Sequence, residues 1–487
     1  MQNISKRNPF RLNKNTLNYK LLFLVKKLFL ILILLNSISG IFPHNIFGQG
    51  KFLNFSDIHF DPFYDSTLVM ELLYSDSDEW ENIYSRSKIN SVSNYGSDCN
   101  FILLKSALNE MTLRIPHPDF IIINGDFMSH NFNEDFSHFT GIENSDTLNL
   151  FIEKTIRFIT SVIVKHYPGK QIFPVLGNDD AYCGNYMIEP DGGFVKMAAE
   201  VWEPMVNING NNFSFRKDFS KGGYCTADLP GDGSVKMILM NTVFFSPKYR
   251  NLCGDTTANP GKDELIWLSE ELEKCRQKNQ KVYLSYHIPP GIDIFGTING
   301  KGNCEEKIFS SWKKEYNDEF IKLVNEYSSV IIAQFGGHFH RDDFRIFFNE
   351  SVPVSYLHIT SSISPVYGNN PSFQVFSYNT ANYNISDYET FYLNLSEVKD
   401  NTIWEGGYSF QNAFTQRSYD VNSLKNVYEL IKSDAVVREI YIKYYTSDNV
   451  KVFNKDYKNW LYNYCGIGHL KKNEFANCLC SDSVKAK

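Results

Sequence analysis

Five short polar blocks, each lying directly after an apolar run of β character, constrain this chain more than any other feature of it. The runs cover residues 51–57, 120–124, 172–176, 281–286 and 330–335. The blocks at their ends are Asp57-Ile58-His59, Gly125-Asp126, Gly177-Asn178, His287 and Gly337-His338-Phe339-His340. Residues 235–241 read as a further strand. Between the runs, residues 102–111, 148–164, 264–274 and 319–327 carry apolar side chains at helical spacing. Strands alternating with helices predict an α/β layered fold. From about residue 400 the pattern turns mainly helical. In open α/β sheets ligands gather outside the carboxyl ends of strands, where every one of these blocks falls.

The blocks supply seven oxygen and nitrogen donors: Asp57, His59, Asp126, Asn178, His287, His338 and His340. Alternation along extended backbone puts Asp57 with His59, and His338 with His340, on one side. Seven donors serve two cations if one carboxylate is shared, and Asp126 is the best bridge because it has two oxygens. Asp57, His59, Asp126 and His340 then belong to one ion; Asp126, Asn178, His287 and His338 belong to the other. Mixed imidazole and carboxylate donors suit zinc, iron or manganese better than calcium. Such a pair clamps a phosphoryl group and generates hydroxide near neutral pH. A lone histidine, Asp-x-His or Gly-Asp is an ordinary feature of folded chains. Five such pieces in this order, each after a strand, are not.

Bulk properties narrow the class. Hydrophobic residues at 43% and charged residues at 21% fit a globular chain and exclude wholesale disorder. The net charge of −7 and the lack of a dense Lys/Arg stripe after residue 30 exclude a nucleic-acid duplex as partner. A basic lead through Lys26 and Lys27 precedes the apolar run 28–35, and Ser37, Ser39 and Gly40 follow. That is the layout of a signal peptide over residues 1–40, with an uncleaved signal anchor as the alternative. Nine cysteines fit an oxidising compartment, and the odd number leaves at least one unpaired within the chain. Cys478 and Cys480 are too close to pair with each other, so they have different fates. Sequons at Asn212, Asn349, Asn384 and Asn394 are candidate glycosylation sites; the one at Asn54 lies within a core run and is a chance match.

The same blocks resemble those of the metallophosphoesterase superfamily. Within it the chain is similar to the acid sphingomyelinase-like phosphodiesterases of type 3. Ser56–Pro62, Tyr95-Gly-Ser-Asp-Cys99, His287-Ile-Pro-Pro-Gly291, Gly337–Asp342, Asn369-Asn-Pro371 and Tyr392–Ser396 carry that likeness, as does the tail between Cys465 and Cys478. No cysteine-rich saposin-like segment precedes Lys51, which favours the type 3 branch. The resemblance implies a two-sheet β-sandwich flanked by helices, with a C-terminal helical subdomain. It places the catalytic domain at residues 50–395 and a mainly helical, disulfide-containing subdomain at 396–487. It further implies two Zn²⁺ ions and disulfides Cys465–Cys478 and Cys253–Cys304. One departure stands out. The family has a histidine directly after the Gly-Asn ligand, thought to serve the leaving group; here Asp179 follows, and then Asp180. His130 matches a second active-site histidine and takes the acid role.

The expected activity is hydrolysis of a phosphodiester or phosphoanhydride by in-line attack of metal-bound hydroxide, with nucleotide-type substrates favoured. A phosphate or nucleotide leaving group needs less protonation than an alkoxide, which suits the loss of an imidazole at 179. The rivals are sphingomyelin cleavage to ceramide and phosphocholine, cleavage of polyphosphate, and a metal-binding pseudoenzyme. The expected partner is a small phosphodiester, nucleotide or lipid headgroup, with membrane-surface contact as an option and a monomeric state. The expected location is secreted or a lysosome-like lumen, or membrane-tethered if the leader persists.

Overall fold

The apolar runs become the centre of two facing sheets in a computed structural model, which describes residues 48–254, 258–397 and 403–482. The expected leader, residues 1–40, lies outside the described residues. The strands in chain order are β1 Gln49–Phe55, β2 Phe120–Ile123, β3 Gln171–Pro174, β4 Cys225–Asp228, β5 Val235–Leu239, β6 Lys281–Ser285 and β7 Ile292–Asp293. They continue as β8 Phe309–Ser310, β9 Ile331–Gly336, β10 Asp343–Asn349, β11 Val352–Ile359, β12 Ser372–Asn379, β13 Ile385–Leu393 and β14 Trp404–Ser409. One six-stranded sheet has the order β14-β13-β12-β1-β2-β3, and the other β10-β11-β9-β6-β5-β4.

β1, β2 and β3 pair in parallel, as do β5, β6, β9 and β11 in the second sheet. Strands covered on both faces must be apolar throughout, which is why these runs read without alternation. β2 and β3 are buried at every position. Between the sheets, Phe52 stacks on Phe376 and Phe120 and meets Phe335 of the opposite sheet edge-on at 5.5 Å. Polar contacts cross at the carboxyl ends: Asn54 Nδ2 donates to Thr360 Oγ1 at 2.7 Å and Asn124 Nδ2 to Ser285 Oγ at 3.0 Å. The ends of β1, β2, β3, β6 and β9 therefore open onto one place.

Helices Phe101–Arg114, Ser145–His166, Pro260–Gln277 and Lys314–Glu326 form where helical spacing predicts them. The tail differs from a purely helical reading. Residues 404–409 add β14 to the edge of the first sheet by pairing with β13, and the helices begin at Phe410. The α/β layering with two sheets flanked by helices and a helical C-terminal region is as expected.

Two expectations are corrected. Cys465 does pair with Cys478, but Cys253 pairs with Cys183 rather than with Cys304, and Cys304 pairs with Cys480. The reason is topological. Cys253 lies beside the loop that follows β3, while Cys304 lies under the last helix. Cys478 and Cys480 thus have separate partners, and Cys99, Cys225 and Cys275 are unpaired and buried. The sequon at Asn212 is closed off: this side chain is buried, donates to Val206 O at 3.0 Å and accepts from Asp228 N at 2.6 Å. Asn349 and Asn384 are exposed. Among the described residues no helix is long and apolar enough to cross a membrane.

Candidate metal centre

All seven predicted donors come together at the shared strand ends. His59 Nε2 lies 3.4 Å from Asp126 Oδ2, 3.8 Å from Asp57 Oδ1 and 3.2 Å from His340 Nε2. His340 Nε2 is 3.3 Å from Asp57 Oδ1. On the other side, His287 Nε2 is 3.0 Å from Asp126 Oδ2 and 3.1 Å from Asn178 Oδ1. Donor atoms of Asp126, His287 and His338 lie within 4.8 Å of one another. One oxygen of Asp126, Oδ2, faces both groups. Its Oδ1 accepts from Asp179 N at 2.9 Å, so the carboxylate does not divide its two oxygens between the groups as expected.

The backbone achieves this convergence differently from the extended alternation that the sequence suggested. Asp57, His59, Asp126, His338 and His340 have φ of 50°, 44°, 55°, 71° and 56°. Non-glycine residues held in the left-handed region cost about 1–3 kcal/mol each and persist only where surroundings over-determine them. The surroundings here are hydrogen bonds between the loops. Asp57 N donates to Gly125 O and His59 N to Asp126 O, both at 3.0 Å, and His338 N donates to the Asp57 carboxylate at 3.0 and 3.1 Å. Gly177 is required by close approach, since a Cβ there would sit 2.0 Å from Asp126 Oδ1.

Outer contacts fix the imidazoles. His59 Nδ1 meets Met128 O at 3.0 Å and His287 Nδ1 meets Asn124 O at 2.6 Å. A carbonyl can only accept, so Nδ1 carries the proton and the Nε2 lone pair faces the carboxylates. Lone pairs and carboxylates aimed at one space call for a cation. The titration of the group says the same. Burial opposes ionisation of Asp126, but His287 and His59 outweigh it and hold the carboxyl below its usual range. Burial lowers His287, yet Asp126 lifts it to about 9. His59 is lifted likewise. Burial, followed by the neighbouring His287 and His59 respectively, keeps His338 and His340 neutral. The carboxylates thus draw protons onto two imidazoles when nothing else supplies positive charge. This Asp/His cluster is suited to a divalent metal.

His130 stands at the edge of the group rather than on a loop surface, with its side chain 21% exposed. Its ring stacks on His59 with centroids 4.0 Å apart. Asp98 accepts from its backbone N–H at 2.8 Å and from Nδ1 at 3.0 Å, and Nε2 lies 3.2 Å from Tyr367 Oη. Burial opposes ionisation of Asp98, but His130 and His59 hold its carboxyl below the usual range. Asp179 is buried, accepts from Asn178 Nδ2 at 3.0 Å and lies 3.9 Å from His130 Nε2. Burial and then the charge of Asp126 push it well above the ordinary value. Asp98, Asp180 and Tyr367 have no assigned role in the sequence reading. Only the Tyr95–Cys99 block signalled the first of them.

Above the donors opens a cleft of about 230 Å³. Asp126, Asn178, His130, His338 and His340 form its floor. Phe295 and Tyr367 stand at its mouth, 60% and 42% exposed, with ring centroids 5.8 Å apart. Lys248, Arg341 and Lys455 stand on its walls beside Asp293 and Asp456, and residues 452–463 of the C-terminal region close the far side.

Buried imidazoles and carboxylates gathered at the strand ends of two facing sheets, beneath an open cleft, define a metal-dependent phosphoric ester hydrolase. The calcineurin-like phosphoesterase profile matches residues 50–342, and the acid sphingomyelin phosphodiesterase C-terminal region profile matches residues 350–485. The chain belongs to the calcineurin-like phosphoesterase family. It is 26% identical to acid sphingomyelinase-like phosphodiesterase 3b of Mus musculus over 88% of this chain and 90% of that one. Sphingomyelinase phosphodiesterase C of Dictyostelium discoideum is 27% identical over 79% of this chain and 82% of its own. Cyclic GMP-AMP phosphodiesterase SMPDL3A of Homo sapiens is 25% identical over 88% and 90%.

Proposed function

We propose that this chain is a two-metal phosphodiesterase for nucleotide-type phosphodiesters or phosphoanhydrides. The observation that carries the reading is the single oxygen of Asp126 facing His59 on one side and His287 on the other, at 3.4 and 3.0 Å. Asp57, His59 and His340 would hold one ion with Asp126, and Asn178, His287 and His338 the second. The donor set suits zinc, iron or manganese, and the family resemblance favours Zn²⁺ among them. Two such ions neutralise charge on a phosphoryl group and lower the pKa of bound water.

The chain's own side chains supply the rest. His130 carrying a proton on Nε2 gives it to the leaving oxygen, while Asp98 accepts from Nδ1 and holds the ring in place. Asp179 lies 3.9 Å from His130 Nε2 but does not line the cleft, so it does not replace the family's imidazole there. Weak acid assistance favours leaving groups that depart as phosphate or nucleotide. Lys248, Arg341 and Lys455 favour an anionic substrate, and Phe295 with Tyr367 offers faces for a planar base. The name of the cyclic GMP-AMP phosphodiesterase relative is consistent with this preference.

A second reading, cleavage of sphingomyelin, draws on the exposed Phe295 at the cleft mouth and on the name of the Dictyostelium relative. A hydrolysis panel of ATP, CDP-choline, cyclic GMP-AMP, sphingomyelin in detergent and long-chain polyphosphate separates them, run with and without chelator. Nucleotide turnover abolished by chelator supports the proposal. Turnover of sphingomyelin or polyphosphate alone overturns its substrate class, and no chelator effect overturns the metal chemistry. Three disulfides fit folding in an oxidising lumen or secretion, and Asn349 and Asn384 present sequons on the surface.

A further inference from the structure

Asp180 lines no part of the cleft, yet it binds both halves of the centre. Its Oδ2 accepts from Asp126 N at 2.9 Å and Gly177 N at 2.8 Å. Its Oδ1 accepts from Phe127 N at 2.9 Å and Met128 N at 3.3 Å. Three of these N–H groups belong to the loop after β2 and one to the loop after β3. The carboxylate is fully buried.

We infer that Asp180 is a positioning residue for the metal centre, a single carboxylate that sets the backbone carrying Asp126, His59 and Asn178. The inference rests on the two-metal reading above. Asp126 sits in the left-handed region at φ 55°, and an anionic acceptor on its N–H offsets that strain. Met128, held through its N–H, turns its carbonyl to His59 Nδ1 at 3.0 Å and so fixes the ring. Gly177, held in the same way, leads straight into Asn178. Only a carboxylate can do this, because it has about four lone-pair sites and no donor. An amide in its place turns an NH₂ group toward two N–H groups that then lose their acceptor.

The test compares Asp180→Asn and Asp180→Glu with Glu264→Gln, which alters a buried carboxylate outside the site. Two quantities are read: amide hydrogen exchange in metal-free protein, and Zn²⁺ affinity by competition with a chromophoric chelator. In the wild type the amides of residues 126–128 and 177 exchange slowly. Asp180→Asn is expected to release these four amides selectively and to weaken Zn²⁺ binding about 10–100-fold. Glu264→Gln leaves both unchanged. If Asp180→Asn does not fold, Asp180→Glu is read instead, and its displaced carboxylate is expected to weaken Zn²⁺ binding in the same direction. Fast exchange of the four amides in the wild type overturns the inference, as does wild-type Zn²⁺ affinity in a folded Asp180 variant. Slow exchange in a wild type that binds no Zn²⁺ overturns the two-metal reading instead.

Discussion

At the scale of single residues, the seven donors were legible because physics leaves polar side chains few reasons to follow a fully apolar strand. Their supporting cast was not. Asp98 acts by holding one imidazole nitrogen, Asp180 by collecting backbone N–H groups, and Tyr367 by a hydroxyl from a distant loop. None of these contacts leaves a period or spacing in the chain. The proton-donor role proposed for His130 yields a prediction. His130→Gln should lower kcat about 10²–10⁴-fold on a diester with an alkoxide leaving group. It should lower it far less on a p-nitrophenyl ester, whose leaving group needs no proton. Equal losses on both substrates would remove His130 from the acid role. Asp126→Asn replaces the shared carboxylate with a weaker donor, and metal analysis of the purified variant should show loss of bound ion at both positions rather than one.

Among the elements, the buried parallel strands read clearly, whereas the four strands between Asp343 and Leu393 did not. Arg345, His358, Gln374 and Thr390 are all buried there, so polar residues point inward and the alternation of a half-buried strand is broken. Most of their polar atoms are satisfied locally, although Nε and Nη2 of Arg345 are not. His358 donates from Nε2 to Gln374 Oε1 and accepts from Tyr419 Oη at Nδ1, both at 2.7 Å, while Arg345 pairs with Asp343. The left-handed turns after the strands were equally hidden, since the residues there are aspartate and histidine rather than glycine. Gly177 shows how little room those turns leave. Gly177→Ala would set a methyl 2.0 Å from Asp126 Oδ1. The expected cost is about 1–3 kcal/mol of stability, with activity falling further than stability does. Thermal unfolding and kcat/KM measured on the same preparation check this.

On the scale of the whole molecule, a long-range disulfide and a buried carboxyl both bear on stability. Cys304–Cys480 spans a separation of 176 residues and ties the last helix back to the catalytic part of the chain. Replacing both cysteines with serine should cost roughly 2–5 kcal/mol, measured by denaturant unfolding. Glu264 adds a dependence on pH. Burial lifts its carboxyl from 4.5 to about 8, so the folded chain favours the neutral form. Its contribution is full below the unfolded value and lost as pH rises through 8. Between pH 5 and 8, Glu264→Gln should therefore gain roughly 3 kcal/mol relative to the wild type. A constant difference across that range would mean the carboxyl ionises freely in the fold.

The cleft draws its floor from strand ends spread between residues 126 and 340 and its far wall from residues 452–463. The residues proposed to break the bond and part of the wall that would meet the substrate thus lie far apart in the chain. Substitutions near the carboxyl terminus can alter which compound is accepted while the reactive atoms stay where they are, so a library confined to that wall is the place to look for altered selectivity.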